Sequence, residues 1–458
     1  MNLDVFFNPK SVAVIGASHT PGKVGYAILD DLLRGNFKGN VYPVNPDTTP
    51  ILDKHVYPSI KAIKDAIDLA VIAVPAPAVP KVLKECVEKK IKGAIIISGG
   101  FSEIGQEGKK LEEKCKKIIK GKITKVIGPN CIGIYDPVSD LDTLFLTEDR
   151  MGRPKSGSIA FISQSGAVGS TILDWLSGEH VGISKFVSYG NAMDVNETDL
   201  LEYLSKDNTT NVIAVYLEGI KADGKKFIEI LKKTVKRKPV VILKAGKTER
   251  GSKAVISHTA SLAGDARIYS AVFKQFGAIE ACDWTELFDF CKVFSMQPLP
   301  KGDKLLIVTD GGGFGVLAAD EAERQGIKLE EPSNAVKKLL SKTLPQYVSL
   351  HNPIDLTGDV TTERYKVVME NCINQYDGLL AIVLFQVPLL EETIVDVLID
   401  MKKYGKPILC CASGGTFTEK LADRLEAGGI PVYPTPERAV RAFATMVKYS
   451  KFRQANLD

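Results

Sequence analysis

The sequence predicts an α/β protein with three domains, each built on a parallel β-sheet. Along the 458 residues, short apolar runs alternate with amphipathic stretches, which is the pattern of buried parallel strands and the helices that connect them. Three times an apolar run passes through a glycine- or serine-rich turn into an amphipathic segment, at residues 11–18, 158–166 and 305–313. The chain is also too long for one hydrophobic core.

Each of these three turns opens a series of strands. In the first series, strands are predicted at residues 11–15, 41–44, 69–74, 93–97 and 125–127. In the second series, strands are predicted at 158–162, 186–188, 212–216 and 240–243, with a helix at 168–176. In the third series, strands are predicted at 305–308, 379–384 and 407–411, with a helix at 316–322. Boundaries at Gly128–Pro129 and in the proline- and lysine-rich segment 297–302 give domains 1–127, 128–297 and 302–458.

Composition excludes several classes of protein. The 59 basic and 55 acidic residues leave a formal net charge of +4, which gives no reason to expect nucleic-acid binding. Eight cysteines occur without CxxC pairs or metal-type Cys/His spacing, so we expect reduced thiols in the cytoplasm and no metal site on this chain. Neither an export signal nor an apolar run of about 20 residues is visible, so no membrane span is expected.

The first strand is followed by a glycine-rich turn that reads G-A-S-H-T-P-G-K-V-G over residues 16–25. Such a turn directs backbone N–H groups toward a phosphate at a helix N-terminus, and the Lys23 ammonium adds a positive charge suited to pyrophosphate. The spacing is longer than the G-x-G-x-x-G of NAD enzymes. The next strand ends in Asn45 and Pro46 with no acidic residue at its tip, which disfavours NAD. A purely structural turn remains the alternative.

Two further turns follow strands of the same predicted sheet. Val74 and Pro75 follow one strand, and Ser98, Gly99 and Gly100 follow the next. Ligands of open α/β sheets bind outside the carboxyl ends of the strands. Three turns at this edge suit a long ligand such as coenzyme A.

Four motifs of the sequence, the first of them at the end of the first predicted domain, resemble those of a known protein family. The motif Gly-Pro-Asn-Cys-x-Gly at 128–133, the histidine segment 256–264, Asn352–Gly358 and Asp310–Gly313 resemble motifs of the succinyl-CoA synthetase superfamily. The resemblance is closest to α subunits of NDP-forming (ADP-forming) acetyl-CoA and other acyl-CoA synthetases, and it covers essentially the whole chain. It implies a CoA-binding Rossmann domain followed by two flavodoxin-like ligase domains. The implied CoA-binding residues are Gly16, Ala17, Ser18, Pro21, Gly22, Lys23, Asn45, Pro46, Val74, Pro75, Ser98, Gly99, Gly100, Asn130 and Cys131.

The resemblance also implies a reaction. Acyl-CoA, expected to be acetyl-CoA, and phosphate give acyl phosphate and CoA, after which a histidine takes the phosphoryl group and passes it to ADP. His258, in a polar segment expected to be a mobile loop, corresponds to that histidine, and Glu218 corresponds to the carboxylate that holds its ring. We expect Cys131 to line the thioester pocket without acting as a nucleophile. The implied phosphate-binding residues, at two helix N-termini, are Ser163, Gln164, Ser165, Gly166, Gly311, Gly312 and Gly313.

The resemblance further implies a partner. An ATP-grasp module must bind ADP or ATP with Mg²⁺. The sequence shows no P-loop motif, and the residues after Val447 are not expected to form such a module. We therefore expect a separate β subunit in an α₂β₂ heterotetramer. Two alternatives stay open: a non-catalytic CoA-binding or regulatory module, which would need neither His258 nor Glu218, and an NAD-dependent oxidoreductase, which the tip of the second strand disfavours.

Overall fold

The computed structural model describes residues 3–259 and 265–456, and the side chains of residues 256–259 lie outside this description. The chain divides into two compact units, Met1–Trp284 and Thr285–Asp458. Over the described ranges, the strands form three sheets. The α/β fold class predicted from the sequence is therefore confirmed, whereas the domain boundaries at residues 127 and 297 stay predictions.

The first unit alternates strands with helices. Its strands are β1 (Ser11–Ile15), β2 (Asn40–Val44), β3 (Leu69–Ile72), β4 (Gly93–Ile96), β5 (Lys125–Ile127), β6 (Ile134–Asp136), β7 (Leu141–Asp142), β8 (Ser156–Ser163), β9 (Ile183–Ser188), β10 (Val212–Leu217), β11 (Val240–Lys244) and β12 (Ile279–Ala281). Its helices are α1 (Val24–Arg34), α2 (Val79–Glu88), α3 (Gln106–Ile119), α4 (Gly166–Gly178), α5 (Glu197–Leu204), α6 (Gly224–Arg237), α7 (Glu249–Thr259) and α8 (Ala266–Phe276). Short 3₁₀ helices lie at Asp4–Phe6, Ile60–Ala62, Ala76–Ala78 and Ser102–Ile104.

The second unit begins inside α9 (Trp284–Met296). Its strands are β13 (Leu305–Thr309), β14 (Ile354–Asp355), β15 (Gly378–Ile382), β16 (Ile408–Cys411) and β17 (Val432–Tyr433). Its other helices are α10 (Gly312–Gln325), α11 (Asn334–Leu340), α12 (Thr362–Cys372), α13 (Ile394–Asp400), α14 (Thr416–Ala427) and α15 (Pro436–Asn456), with 3₁₀ helices at Ile373–Gln375 and Met401–Tyr404.

The first sheet has the order β2-β1-β3-β4-β5, and its paired strands are parallel. The register places Ile15 beside both Val44 and Ile72, so the strands end at one edge of the sheet. All five residues of β1 are buried, as expected for a central strand covered by helices on both faces. The loops that leave this edge carry the predicted CoA-binding residues.

The second sheet has the order β12-β11-β10-β8-β9-β6-β7. Strands β8 to β12 run parallel, while β6 pairs antiparallel with β9 and with β7. The central neighbours β8 and β10 end together, with Ser163 opposite Tyr216. The turns that follow these two strands carry Gln164 and Glu218, so the two residues emerge at the same edge.

The third sheet, within the second unit, has the order β14-β13-β15-β16-β17, and its paired strands are parallel. Its core includes the fully buried Tyr365, Met369 and Leu398. Helix α10 follows β13 through a glycine turn, with Gly311 as its N-cap. This unit repeats the strand–turn–helix arrangement that opens the other two sheets.

One predicted segment has a different structure. The stretch after β11 was expected to be a loop because it is rich in glycine, lysine and hydroxylated residues, but residues 249–259 form the helix α7. Lys253 Nζ lies 2.7 Å from Glu249 Oε1, and such i,i+4 pairs stabilise a helix. The backbone of His258 therefore belongs to the last turn of α7, and its side chain lies outside the described residues.

Two findings bear on the class of protein. Along the described ranges, no helix has the length and apolar character needed to cross a membrane. Seven of the eight cysteines are buried, and Cys282 is exposed.

Candidate functional site

The first unit contains a cleft of about 1150 Å³ at the carboxyl ends of its parallel strands. Turns from the first and second sheets meet there, which is the usual binding edge of open α/β sheets. The predicted site residues that line it are Gly16, Ala17, Ser18, Gly22, Lys23, Asn45, Pro46, Val74, Pro75, Ser98, Gly99, Asn130, Cys131, Gln164, Ser165, Gly166 and Glu218.

The glycine-rich turn after β1 needs glycine at two positions. Gly16 has φ +94°, and an added Cβ would lie 2.5 Å from the Ala73 carbonyl oxygen. A Cβ on Gly25 would lie 1.9 Å from the Gly16 carbonyl oxygen. These close approaches bring the turn onto the N-terminus of α1, where Lys23 is the N-cap. Unpaired N–H groups and the lysine charge together suit a phosphate.

The neighbouring turns are tied to one another by hydrogen bonds. Asn45 donates from Nδ2 to the Ala17 carbonyl oxygen at 2.6 Å. Ser98 donates from Oγ to the Val74 carbonyl oxygen at 2.5 Å, and the Asn130 N–H donates to the Ser98 carbonyl oxygen at 2.9 Å. The wall of the cleft is therefore a connected set of turns that can hold an extended ligand in one conformation.

Cys131 lies in this wall and is 3% exposed. Its Sγ lies 3.4 Å from the Ile96 carbonyl oxygen. Burial raises the pKa of the Cys131 thiol to about 12, so the thiol is protonated near neutral pH. Because the thiolate is the nucleophilic form of cysteine, the geometry favours a lining role.

The turn Gln164–Gly166 joins β8 to α4. The side chain of Ser165, the N-cap of α4, accepts a hydrogen bond from the Val168 N–H. The Gln164 carboxamide oxygen accepts from the N–H groups of Glu218 and Gly219, at 2.9 and 3.0 Å. The start of α4 is thereby fixed against the turn after β10, and the N-terminal N–H groups of α4 suit an anion.

Glu218 follows the last residue of β10 and is 6% exposed. Its carbonyl oxygen accepts a hydrogen bond from Lys244 Nζ at 2.8 Å. Burial lowers the pKa of Lys244 to about 8, and the nearby Glu218 carboxylate opposes that shift. The Glu218 carboxylate therefore helps to keep Lys244 protonated. The Lys244 ammonium in turn holds the backbone that presents this carboxylate.

Lys221 also lines the cleft. Burial lowers its pKa, while the carboxylates of Glu112, Glu197 and Glu218 act in the opposite direction. A cation beside Glu218 compensates the negative charge that would otherwise repel an anionic substrate. The motifs did not single out Lys221, because nothing in the local sequence distinguishes it from the surrounding lysines.

Asn191 also lines the cleft without having been predicted. Its Nδ2 donates to Glu103 Oε2 at 2.7 Å and to Glu112 Oε2 at 3.2 Å. These partners are more than 70 residues away in sequence, so no local pattern could have identified it. Asn191 connects the second sheet to the wall formed by the first.

Other predicted site residues lie elsewhere. Pro21 and Gly100 are outside the lining, and the Gly100 N–H donates to Glu103 Oε1 at 2.5 Å. Ser163 is fully buried at the end of β8 and donates from Oγ to the Ser165 carbonyl oxygen at 2.7 Å. Gly311, Gly312 and Gly313 belong to the second unit, at the start of α10. The side chain of His258 lies outside the described residues.

Comparisons with known protein families match two successive segments of the chain. Residues 10–137 match a CoA-binding domain family, and residues 156–294 match the succinyl-CoA ligase-like flavodoxin domain family. The chain is 40% identical to acetate–CoA ligase (ADP-forming) I subunit alpha of Pyrococcus furiosus, with 99% of each chain covered. The chain belongs to the family of ADP-forming acyl-CoA ligases.

Two further comparisons agree with this membership of the ADP-forming acyl-CoA ligase family. Acetate–CoA ligase (ADP-forming) of Methanocaldococcus jannaschii is 43% identical over 96% of this chain, which covers 62% of that longer protein. The structure of Ca. Korarchaeum cryptofilum dinucleotide forming acetyl-coenzyme A synthetase 1, in complex with phosphate and ADP, matches with a TM-score of 0.92 at 35% identity. That match covers 100% of this chain and 98% of the other.

Family membership decides between the classes considered from the sequence. The relatives are ligases over nearly the whole length of this chain, so the chain is an enzyme of the ligase class and the non-catalytic module is not favoured. The name of the Pyrococcus relative, a subunit alpha, implies that this relative works with a separate partner subunit.

Proposed function

We propose that this chain is the α subunit of an ADP-forming acyl-CoA synthetase that acts on acetyl-CoA. The reaction converts acyl-CoA, phosphate and ADP to the free acid, CoA and ATP. It proceeds through acyl phosphate and a phosphohistidine at His258. The observation that carries the proposal is the shared cleft, in which the Lys23 turn, Cys131, the Gln164–Gly166 turn and Glu218 line one cavity.

CoA occupies the part of the cleft lined by the first sheet. The turn at residues 16–23 holds its phosphates with backbone N–H groups and the Lys23 ammonium. The walls at Val74–Pro75, Ser98–Gly99 and Asn130 extend from this turn toward Cys131. The thioester then lies beside Cys131, whose protonated thiol leaves the acyl carbon open to direct attack by phosphate.

Phosphate occupies the part lined by the second sheet. The N-terminal N–H groups of α4 and the Lys221 ammonium stabilise its charge, which is distributed over several oxygens. Glu218, next to this position, accepts a hydrogen bond from one ring nitrogen of His258. The other ring nitrogen is then free to attack phosphorus, and the carboxylate stabilises the positive charge that develops on the imidazole. The phosphate-binding role of Gly311–Gly313, at the start of α10 in the second unit, stays a prediction from the sequence.

The nucleotide half of the reaction belongs to a partner. A β subunit with an ATP-grasp domain holds ADP and Mg²⁺, and two copies of each subunit form an α₂β₂ assembly in the cytoplasm. The coverage of the longer Methanocaldococcus relative supports this proposal, since that single protein extends well beyond the part that matches this chain.

Phosphate labelling tests the proposal. Purified wild-type chain is incubated with acetyl-CoA and ³²P-labelled phosphate, in parallel with the His258→Ala variant. We expect acid-labile, base-stable label on the wild type, because phosphohistidine has this stability, and none on the variant. The measurement is protein-bound radioactivity after acid and base treatment.

A second histidine provides the matched control. The His351→Ala variant should label like the wild type, because the His351 side chain is 76% exposed in the second unit and contacts Glu331. Equal label on wild type and His258→Ala would overturn the assignment of His258. A wild-type protein that binds CoA but stays unlabelled with a panel of acyl-CoAs and a β subunit would overturn the proposed reaction.

A further inference from the structure

Within the described residues, the Gln164 side chain forms hydrogen bonds through its oxygen and not through its NH₂ group. Its residue lines the cleft and is 5% exposed, and within the described residues its Nε2 has no hydrogen-bond acceptor. A buried N–H group without a partner costs about 1–3 kcal/mol. Native proteins keep few such groups, and they often belong to functional sites. The missing acceptor is therefore a candidate ligand atom.

The orientation of this amide is determined by its surroundings. The N–H groups of Glu218 and Gly219 both point at Oε1, at 2.9 and 3.0 Å. Exchange of the oxygen and nitrogen would set the NH₂ donor against two further donors, so only one orientation satisfies them. The NH₂ group consequently faces away from the turn after β10, and it can only donate.

The other two buried side-chain amides of the described residues have a hydrogen-bond partner on both the oxygen and the nitrogen. Gln297 accepts from the Ile408 N–H at 2.9 Å and donates to the Gly429 carbonyl oxygen at 2.6 Å. Asn352 accepts from the Ile307 N–H at 3.0 Å and donates to the Leu305 carbonyl oxygen at 2.8 Å. Gln164 differs from both in that it lines the cleft. Its free donor is thus a property of the site.

The turn that carries Gln164 reaches the thioester end of the cleft. A Cβ added to Gly166 would lie 2.8 Å from Ile132 Cγ2, so this turn packs directly against the neighbour of Cys131. The charge of phosphate is already matched by Lys221 and the start of α4. A neutral NH₂ group suits an oxygen that is uncharged in the substrate and negative in the transition state.

We propose that the Gln164 carboxamide donates to the carbonyl oxygen of the thioester and stabilises the oxyanion formed when phosphate attacks the acyl carbon. This role rests on the proposed function of the cleft. A phosphate oxygen forms a bond to the acyl carbon, and the carbonyl π pair moves onto the oxygen that faces Gln164. When the C=O bond re-forms, the C–S bond breaks and CoA leaves as a thiolate. The proton of HPO₄²⁻ ends on that thiolate, which gives acyl phosphate and CoA–SH.

Two half-reactions separate this role from phosphate binding. The chain, assembled with its β subunit, is given acetyl-CoA and phosphate, and release of CoA thiol is measured. Separately, it is given ³²P-labelled acetyl phosphate, and label on His258 is measured. The second half-reaction contains no thioester and forms no oxyanion at carbon. The variants are Gln164→Glu, which keeps the acceptor oxygen, and Gln164→Met, which is uncharged and close in size.

We expect both variants to lower the rate of CoA release by about 10²- to 10³-fold, the effect of removing one oxyanion donor. In Gln164→Glu, labelling of His258 from acetyl phosphate should stay within about threefold of the wild-type rate. Gln164→Met also removes the acceptor of the Glu218 and Gly219 N–H groups, so it should slow both half-reactions. The exposed Gln106→Glu variant controls for the added charge and should retain both activities. Circular dichroism and thermal melting confirm that each variant folds.

Each other outcome overturns the inference. An equal fall of both half-reactions in Gln164→Glu would assign the Gln164 amide to phosphate, and unchanged rates in both would leave it with no role in the chemistry. A wild-type enzyme that performs neither half-reaction would instead overturn the proposed function. Activity in the wild type with unaffected variants would overturn the role of Gln164 alone.

Discussion

At the scale of single residues, the Lys221 ammonium offsets the negative charge of Glu218 and so allows phosphate to bind beside it. We expect Lys221→Met to raise the KM for phosphate by about 10- to 100-fold in CoA release from acetyl-CoA, since a hydrogen bond to a charged group contributes about 1.5–3 kcal/mol. The KM for acetyl-CoA should change little, because CoA is held mainly by the turns of the first sheet. Steady-state kinetics with each substrate varied in turn gives both constants.

The pH dependence provides a check on Lys221. Its pKa is lowered by burial, so the ammonium loses its proton at a lower pH than a free lysine does, and phosphate affinity should fall as the pH rises through that pKa. Arginine stays charged over this range, so Lys221→Arg should remove the alkaline decline. Lys225→Met, at an exposed position of α6, is the matched control. A phosphate KM that stays at the wild-type value in Lys221→Met would contradict this role.

At the scale of elements, the start of α5 holds the turn after β10. Glu197 is fully buried, and its Oε1 accepts from the N–H groups of Lys221 and Ala222, at 2.8 and 3.1 Å. We expect Glu197→Ala to lower the rate of CoA release by about 10- to 100-fold, because small displacements of reacting groups cost this much. It should also lower the free energy of unfolding by about 1–3 kcal/mol. Rates and denaturant melts measure the two effects.

The isosteric variant separates the acceptor from the charge of Glu197. Glu197→Gln keeps one carboxamide oxygen for both N–H groups, so it should restore most of the rate. On the same helix, Glu202 pairs with Lys206 near the surface, and Glu202→Gln should leave rate and stability unchanged. If Glu197→Gln were as slow as Glu197→Ala, the negative charge of Glu197 and not its acceptor oxygen would position the turn.

The sequence predicted the long buried strands better than the short ones. The apolar run 11–15 identifies β1 to the residue, because a central strand in a parallel sheet is apolar on both faces. Strands of two residues, such as β7, β14 and β17, are too short to produce a pattern and depend on pairing with distant strands. The composition around α7 favoured a loop because glycine and serine form helices poorly in isolation.

The residues of the candidate site also differ in how well the sequence predicts them, depending on whether their contacts are local or long-range. Glycine-rich turns after strands have local signatures, and most of the residues predicted from them line the cleft. Asn191, Glu197 and Lys221 act through hydrogen bonds and charges that join segments about 24 to 89 residues apart in sequence. No periodicity or motif in a single sequence reports such pairs, so their contribution to the site emerges only from the fold.

At the scale of the whole molecule, the chemistry is divided between this chain and a partner. The cleft offers groups for CoA, phosphate and the acyl carbon, so the chain by itself should release CoA from acetyl-CoA and become labelled by phosphate. It should form no ATP on addition of ADP and Mg²⁺ until a β subunit with an ATP-grasp domain is added. Luciferase detection of ATP, with and without the β subunit, measures this dependence. The His258→Ala chain mixed with β is the control, because its cleft can still form acyl phosphate while the route to ADP is broken. ATP formation by the isolated wild-type chain at the rate of the mixture would place the nucleotide site in this chain and contradict the division.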